Sequence, residues 1–331
     1  LKCAEIEKLQ NTHSSTLYKE INEMSGRKKI CSSSGCLKDK NGNILMEKSD
    51  ILKRWSEYIE ELFEDNRVSV PQISKDMQGP CILKDEVAAA IKKLKRNKAS
   101  GPDKISSELI QATAEFSTEV LTKVINEIYS TGTLHSDLTK SVFIALPKKA
   151  GAMECELHRT ISLMSVVTKI LLRIIMARWR SKFKSEISVT QCGFTKDTGT
   201  RNAIFILRNL CEKALEINKD LYLCFIDYTK AFDKVRHETL FQVLQQLDLD
   251  GKDIRVVRNM YWNQSACVRI GGEYREYKEI RRGVRQGCVL SPDLFNLYSE
   301  QILRHIDYIK CVSVGGYNVN NFRYADDINF N

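Results

Sequence analysis

Phe322-Arg323-Tyr324-Ala325-Asp326-Asp327-Ile328-Asn329-Phe330 sets two adjacent carboxylates between two short apolar runs near the end of the chain. Asp is depleted in strands and favoured in turns, so the pattern predicts a β-hairpin with both acids at its tip. Two neighbouring carboxylates repel unless a cation joins them. A lone Asp-Asp is nonetheless more often a polar turn than a metal site, and the rest of the chain has to decide between the two.

Length and charge narrow the choice. At 331 residues the chain lies near the size at which one core gives way to two. Fifty-one Lys and Arg against 42 Asp and Glu leave a net charge of +9, which points to polyanionic partners, nucleic acid before membrane. Eleven cysteines with no Cys-x-x-Cys give neither a disulfide framework nor a zinc site, and only Cys31 and Cys36 lie close together. That usage fits a reduced, intracellular protein. The apolar stretch from Ile161 to Ala177 carries Lys169 and Arg173 and reads as a buried helix, too short to span a membrane. The chain opens without Met and stops just after the Asp-Asp pair, so both ends are expected to be cut.

In chain order, Ser32–Ser34 breaks the first segment, and Asn41-Gly42 between Leu37 and Ile44-Leu45 predicts a hairpin. Ser49 is the expected N-cap of a helix burying Ile51, Leu52, Trp55, Ile59, Leu62 and Phe63. A second helix, Asp85 to Lys95, runs into a Gly-Pro turn with cations at Lys92, Lys93, Lys95, Arg96, Lys98 and Lys104. These suit a phosphate backbone as well as a solvated face. Helical periodicity returns over Ser117 to Tyr129. Ser141–Leu146 and Arg159–Leu163 then read as two strands. If they pair, Lys148 and Arg159 project from one hairpin where a triphosphate would be gripped.

Leu221 to Ile226 is an unbroken apolar run, expected as a strand buried on both faces and ended by Asp227. A helix is expected to follow, with Phe232, Val235, Leu240, Val243, Leu244 and Leu247 along it. Ala266–Ile270 and Tyr274–Ile280 flank Gly271-Gly272 as a hairpin. Arg281 to Pro292 is a loop with Gly283 and Gly287 among Arg281, Arg282 and Arg285, leading to a helix capped by Ser291 with Pro292 in its first turn.

Three segments share one pattern: Phe225 to Val235, Gly283 to Asn296, and Tyr324-Ala325-Asp326-Asp327. They resemble, in order and spacing, the palm motifs of reverse transcriptases of the non-LTR (LINE-like) retrotransposon family. Lys98 to Asp103 and Arg159 to Leu163 look like the family's two upstream fingers motifs, with Ser100 and Thr160 where proline is usual. The resemblance covers about Asp85 to the C-terminus.

It implies an α+β right-hand polymerase fragment with an antiparallel palm sheet and no thumb. The expected division is an accessory segment over 1–84, mostly helical with a hairpin, then fingers over 85–216 and palm over 217–331. It further implies RNA-directed DNA synthesis from deoxynucleoside triphosphates on an RNA template, with a DNA primer or target DNA. Asp227, Asp326 and Asp327 would hold two Mg²⁺ ions. Phe232 resembles the family's steric gate against a 2′-hydroxyl; Gln286 and Gly287 look like the loop supporting the nascent pair. Lys148 and Arg159 are the expected triphosphate contacts, and Lys98, Lys104, Arg282 and Arg285 the expected nucleic-acid contacts. The family setting implies a ribonucleoprotein in nucleus or cytoplasm. The rival reading is an inactive nucleic-acid-binding remnant; an RNA-templated RNA polymerase is disfavoured by Phe232.

Overall fold

The computed structural model describes residues 35–306, 313–314 and 317–330. Ser32–Ser34 and Cys31 lie outside them. Leu37–Lys38 (β1) and Ile44–Leu45 (β2) form the expected hairpin. Gly42 takes φ 89° in its loop, and Asp39 Oδ1 accepts from the Asn41 and Asn43 amides. Helix α1 (Lys48–Phe63) starts with Glu47 as N-cap, so Ser49 falls inside the first turn instead of capping it. Its Ile51, Trp55, Ile59 and Phe63 pack on Phe143, Ala266 and Val268 as one apolar cluster.

The larger core gathers α2 (Lys84–Lys92), α3 (Ser107–Ala112), α4 (Ala114–Thr131), α5 (Ser136–Thr139) and α6 (Val166–Glu186). It continues without a break into α8 (His237–Gln246), α9 (Gly251–Trp262) and α10 (Ser291–Leu303). The stretch expected as one helix from Ile161 begins as strand and turns helical at Val166, because Ser165 caps there, its hydroxyl accepting from the Thr168 amide. Ser291 is the first helical residue of α10, so the helix begins one place earlier than expected, with Leu290 as cap. Among the described residues no helix is long and apolar enough to cross a membrane.

Two sheets flank this core. Strands β3 (Lys140–Pro147) and β4 (His158–Met164) pair antiparallel, as the sequence suggested, with Leu146 opposite Arg159. Strand β6 (Ser265–Ile270) joins β3 in parallel, and β7 (Glu273–Tyr274) and β8 (Lys278–Glu279) fold back on β6. After α7 (Thr200–Glu216) comes β5 (Cys224–Asp227). A short ladder of β9 (Ser313–Val314) with β10 (Tyr317–Asn318) precedes the hairpin of β11 (Asn321–Tyr324) and β12 (Asp327–Phe330). The smaller sheet runs β11-β12-β5, all antiparallel.

Strand β5 corrects one expectation. It lies at the edge of its sheet and all four residues are exposed, so its apolar run is not buried on both faces. Phe232 corrects another: it sits on a 3₁₀ turn, Phe232–Lys234, ahead of α8 and not along that helix.

Burial of charge inside the helical core makes stability depend on pH. Asp253, on α9, is 3% exposed and accepts from the Trp179 indole at 3.1 Å. Burial pushes its carboxyl up to about 6, against the pull of Tyr129, Arg178 and Trp179. The native chain therefore holds a proton that the unfolded chain releases above about pH 4. This contribution is full below that point, falls as pH rises toward about 6, and stays lost above it. Asp253→Asn is expected to match the parent near pH 4 and to exceed it at neutral pH by up to roughly 3 kcal/mol. Denaturant unfolding across pH 4 to 7 measures the gap, and a constant difference would contradict this account.

Candidate functional site

The hairpin turn is Ala325-Asp326, so only Asp326 lies in it, and Asp327 is the first residue of β12. The register supplies the third acid: Asp327 stands directly opposite Asp227 of β5. Directly opposed residues in an antiparallel pair share one face, with Cβ atoms about 4.5–5.5 Å apart. All three acids line one cavity of about 1360 Å³. Partial burial, and after it the charges of Asp326 and Asp227, push the Asp327 carboxyl above the usual carboxylate range.

The turn is held from behind. Ala325 takes a left-handed φ of 61°, which costs a residue with a Cβ about 1–2 kcal/mol. The buried Gln191 carboxamide offsets this: its Oε1 accepts from the Ala325 amide at 3.0 Å and its Nε2 donates to the Ala325 carbonyl at 3.3 Å. Two such bonds contribute a similar amount, about 0.5–1.5 kcal/mol each. Below the hairpin, Arg323 on β11 makes a buried ion pair of 3.0 Å with Glu300 of α10.

Cations line the same cavity. Lys148 and Arg159, exposed at the end of the β3–β4 hairpin, both line it. So do Lys95 and Lys98 from the basic turn, and Lys169 and Arg173 from α6. Burial lowers the pKa of Lys169 and of Arg173, so both carry charge that is already partly stripped of water. Lys104 is exposed and is not among the residues lining the cavity; Arg282 is not among them either, and its guanidinium donates to the Leu62 carbonyl at 2.9 Å.

Arg285 is a correction. It is 2% exposed, and its guanidinium donates to Gln264 Oε1 at 2.9 Å and to the carbonyls of Thr139 and Met260 at 3.0 and 3.1 Å. It lines the cavity, but with its donors used inside the protein it pins the loop instead of offering them to nucleic acid. The next residues are then presented outward. Gln286 donates its Nε2–H to Asp233 Oδ1 at 2.8 Å, and its carbonyl accepts from the Ser162 amide of β4 at 2.8 Å. Gly287 has φ 98° and is exposed on the cavity wall.

Phe232 faces the same space. Its ring stacks on Phe295 at 4.6 Å and 16°, and meets Phe194 edge to face at 5.8 Å. The Val284 amide donates to the Phe232 carbonyl at 2.8 Å, tying the ring's backbone to the glycine loop.

Sequence reading passed over four residues here. Lys230, with φ 58°, donates to the His158 carbonyl at 3.0 Å and sits over the Tyr58 ring. Asp233 is 2% exposed, one oxygen is without a partner, and burial raises its pKa. Both lay inside the quoted Phe225–Val235 segment, whose spacing was a signal. Gln191 and Phe194 lie in a polar link between helices, where no periodicity marks them.

Among the described residues no group of three or more His, Cys, Asp or Glu side chains could hold a metal ion as it stands. The three acids fit a hard divalent cation in donor chemistry: carboxylate oxygens gathered at one end of the β11-β12-β5 sheet, mutually repelling and open to the cavity.

Acids and cations lining one cavity, on a mixed α/β scaffold, are the groups a metal-bound phosphate ligand would need. Residues 146–330 match the reverse transcriptase (RNA-dependent DNA polymerase) family, and since they are more than half of the chain, the chain belongs to that family. Its relatives are non-LTR retrotransposon proteins. A 149 kDa protein of transposon TX1 from Xenopus laevis is 26% identical over 81% of this chain and 22% of its own length. The RNA-directed DNA polymerase from mobile element jockey of Drosophila funebris is 27% identical, over 65% of this chain and 24% of its own length. The Pol polyprotein from type-2 retrotransposable element R2DM of Drosophila melanogaster is 26% identical, over 69% of this chain and 21% of its own length. The chain thus spans less than a quarter of these relatives. Among solved structures, apo telomerase from Candida tropicalis aligns with TM-score 0.41 and 15% identity over 63% of this chain and 48% of that one.

Proposed function

We propose that this chain is the fingers and palm region of an RNA-directed DNA polymerase, extending a primer 3′-hydroxyl with deoxynucleoside triphosphates along an RNA template. The observation that carries the reading is the direct pairing of Asp227 with Asp327 beside Asp326, in a cavity that Lys148 and Arg159 also line. Residues 85–216 are assigned to the fingers, 217–331 to the palm and 1–84 to an accessory segment.

Phosphoryl transfer asks a protein for positioning and for charge neutralisation. Asp227, Asp326 and Asp327 are the residues to hold two Mg²⁺ ions, which when bound would neutralise the triphosphate and ready the primer hydroxyl. Arg159 and Lys148 reach the triphosphate from the far wall, the one with a planar fork and the other with a point charge. Lys98, with Lys95, Lys169 and Arg173, lines the side on which the template backbone passes. Partly desolvated cations recover more from an anionic partner than fully hydrated ones do. Gln286, fixed by Asp233, and Gly287 offer a smooth wall under the new base pair, and Phe232 closes the sugar side. Lys104 and Arg282 stay as outer contacts for a longer duplex. The reading carries with it an intracellular ribonucleoprotein setting.

A second reading, a nucleic-acid-binding remnant, draws on the cations lining the cavity, which would grip a phosphate backbone whether or not polymerisation survives. Primer extension on an RNA template with Mg²⁺, set beside an RNA-binding titration of the same chain, separates the two. Template-directed incorporation supports the polymerase; binding without extension supports the remnant.

A further inference from the structure

The link Thr190–Phe194 does more than connect α6 to α7. Its backbone runs beside β11, the Cys192 amide donating to the Arg323 carbonyl at 2.8 Å and the Arg323 amide to the Thr190 carbonyl at 2.9 Å. Gln191, 1% exposed, folds its carboxamide over Ala325, and its Oε1 also accepts from the Gly193 amide at 2.8 Å. Gly193 is pressed against the turn so closely that a Cβ there would lie 2.1 Å from the Ala325 nitrogen and 2.8 Å from the Tyr324 carbonyl carbon. Its own carbonyl accepts from Asn296 Nδ2, on α10, at 3.0 Å. The next residue, Phe194, takes φ 58° and stands 53% exposed in the cavity, edge-on to Phe232.

We infer that Gln191 is a positioning residue for the acid turn: by holding both backbone groups of Ala325 it fixes the left-handed turn, and so fixes where Asp326 stands beside Asp227 and Asp327. The inference rests on the polymerase reading above for its kinetic consequence, and on the turn's geometry alone for its structural one. Gln191 touches neither substrate nor acid; it acts through the main chain. A turn that relaxes from its left-handed conformation carries the Asp326 carboxyl with it, and displacement by about 1 Å is enough to cost on the order of a hundredfold in rate. The same segment carries Phe194, so the brace that sets the acids also sets one neighbour of the aromatic gate.

The test pairs hydrogen exchange with kinetics. In Gln191→Leu the Ala325 amide is expected to exchange about tenfold faster, the loss of one buried hydrogen bond. The kcat for primer extension should fall about a hundredfold, while KM for the nucleotide and Kd for the RNA–DNA duplex stay within about twofold. Gln191→Glu keeps the acceptor for the Ala325 amide and loses the donor to its carbonyl, so it should keep the amide protected and give a kcat between those of Gln191→Leu and the parent. Gly193→Ala, which presses on the Ala325 nitrogen while Gln191 stays in place, should likewise speed Ala325 exchange and lower kcat, so a folding defect in Gln191→Leu does not leave the matter open. Unchanged Ala325 exchange in Gln191→Leu overturns the inference, as does accelerated exchange with parental kcat. If the parent chain extends no primer, the polymerase reading falls on its own, and Mn²⁺ affinity then judges the brace. A loss of about tenfold in Gln191→Leu supports it and parental affinity overturns it.

Discussion

Asp326→Asn is expected to lower Mg²⁺-dependent primer extension on an RNA template by on the order of a thousandfold or more. The magnitude follows from several kcal/mol of charge stabilisation at the reacting phosphate, at one factor of ten per 1.36 kcal/mol. The structure also says what should not change. Asp326 sits half-buried in the turn, and its charge is one of the causes that raise the Asp327 pKa. Removing that charge relieves repulsion, so the variant should unfold no earlier than the parent, and RNA binding, which on the proposed reading draws on the cations lining the same cavity, should stay near parental. Loss of extension with intact binding and intact stability is the signature of a metal-holding acid. Near-parental extension in Asp326→Asn would remove the metal role from the turn, and equal losses of binding and stability would recast it as structural.

The acids were legible because their chemistry is written in a few contiguous residues. Asp-Asp between apolar runs, and Asp227 at the end of an apolar strand, each read poorly alone and well together. The hairpin of β3 with β4 was legible for the same reason, as two apolar runs with cations at their ends. What the sequence hid depends on partners distant in the chain. The exposure of β5 could not be foreseen from its composition, since an apolar strand looks the same at an edge as at a centre. Arg285 sat among glycines and other arginines as a phosphate contact would, and only the carbonyls of Thr139 and Met260 turn it inward. The exact place of Asp326 in the turn, with Asp327 in the strand, was missed because a one-residue shift in register moves a side chain to the other face. Gln191 carried no signal at all: its role lies in two bonds to a backbone 134 positions away.

Phe232→Ala is expected to relax sugar discrimination, raising the ratio of ribonucleotide to deoxyribonucleotide incorporation by roughly 10–200-fold, the range that a change of shape in an apolar pocket supports. On the proposed reading the gate works by exclusion: a ring in the path of a 2′-hydroxyl would penalise the wrong sugar and add little to the right one. Its effectiveness depends on the ring being unable to swing away. Phe295 stacked at 4.6 Å on one side and Phe194 edge-on at 5.8 Å on the other restrict it, and the bond from the Val284 amide fixes its backbone. A smaller side chain opens the space, while Phe232→Tyr, which keeps the ring, should stay near parental discrimination. Single-nucleotide incorporation with each sugar, measured as kcat/KM, reads this directly. A general loosening of the site would lower kcat/KM for both sugars together and leave their ratio alone, and that outcome would reassign Phe232 from gate to packing. The half-buried position of the ring makes the distinction measurable, since truncation there opens toward the cavity and leaves the core beneath it intact.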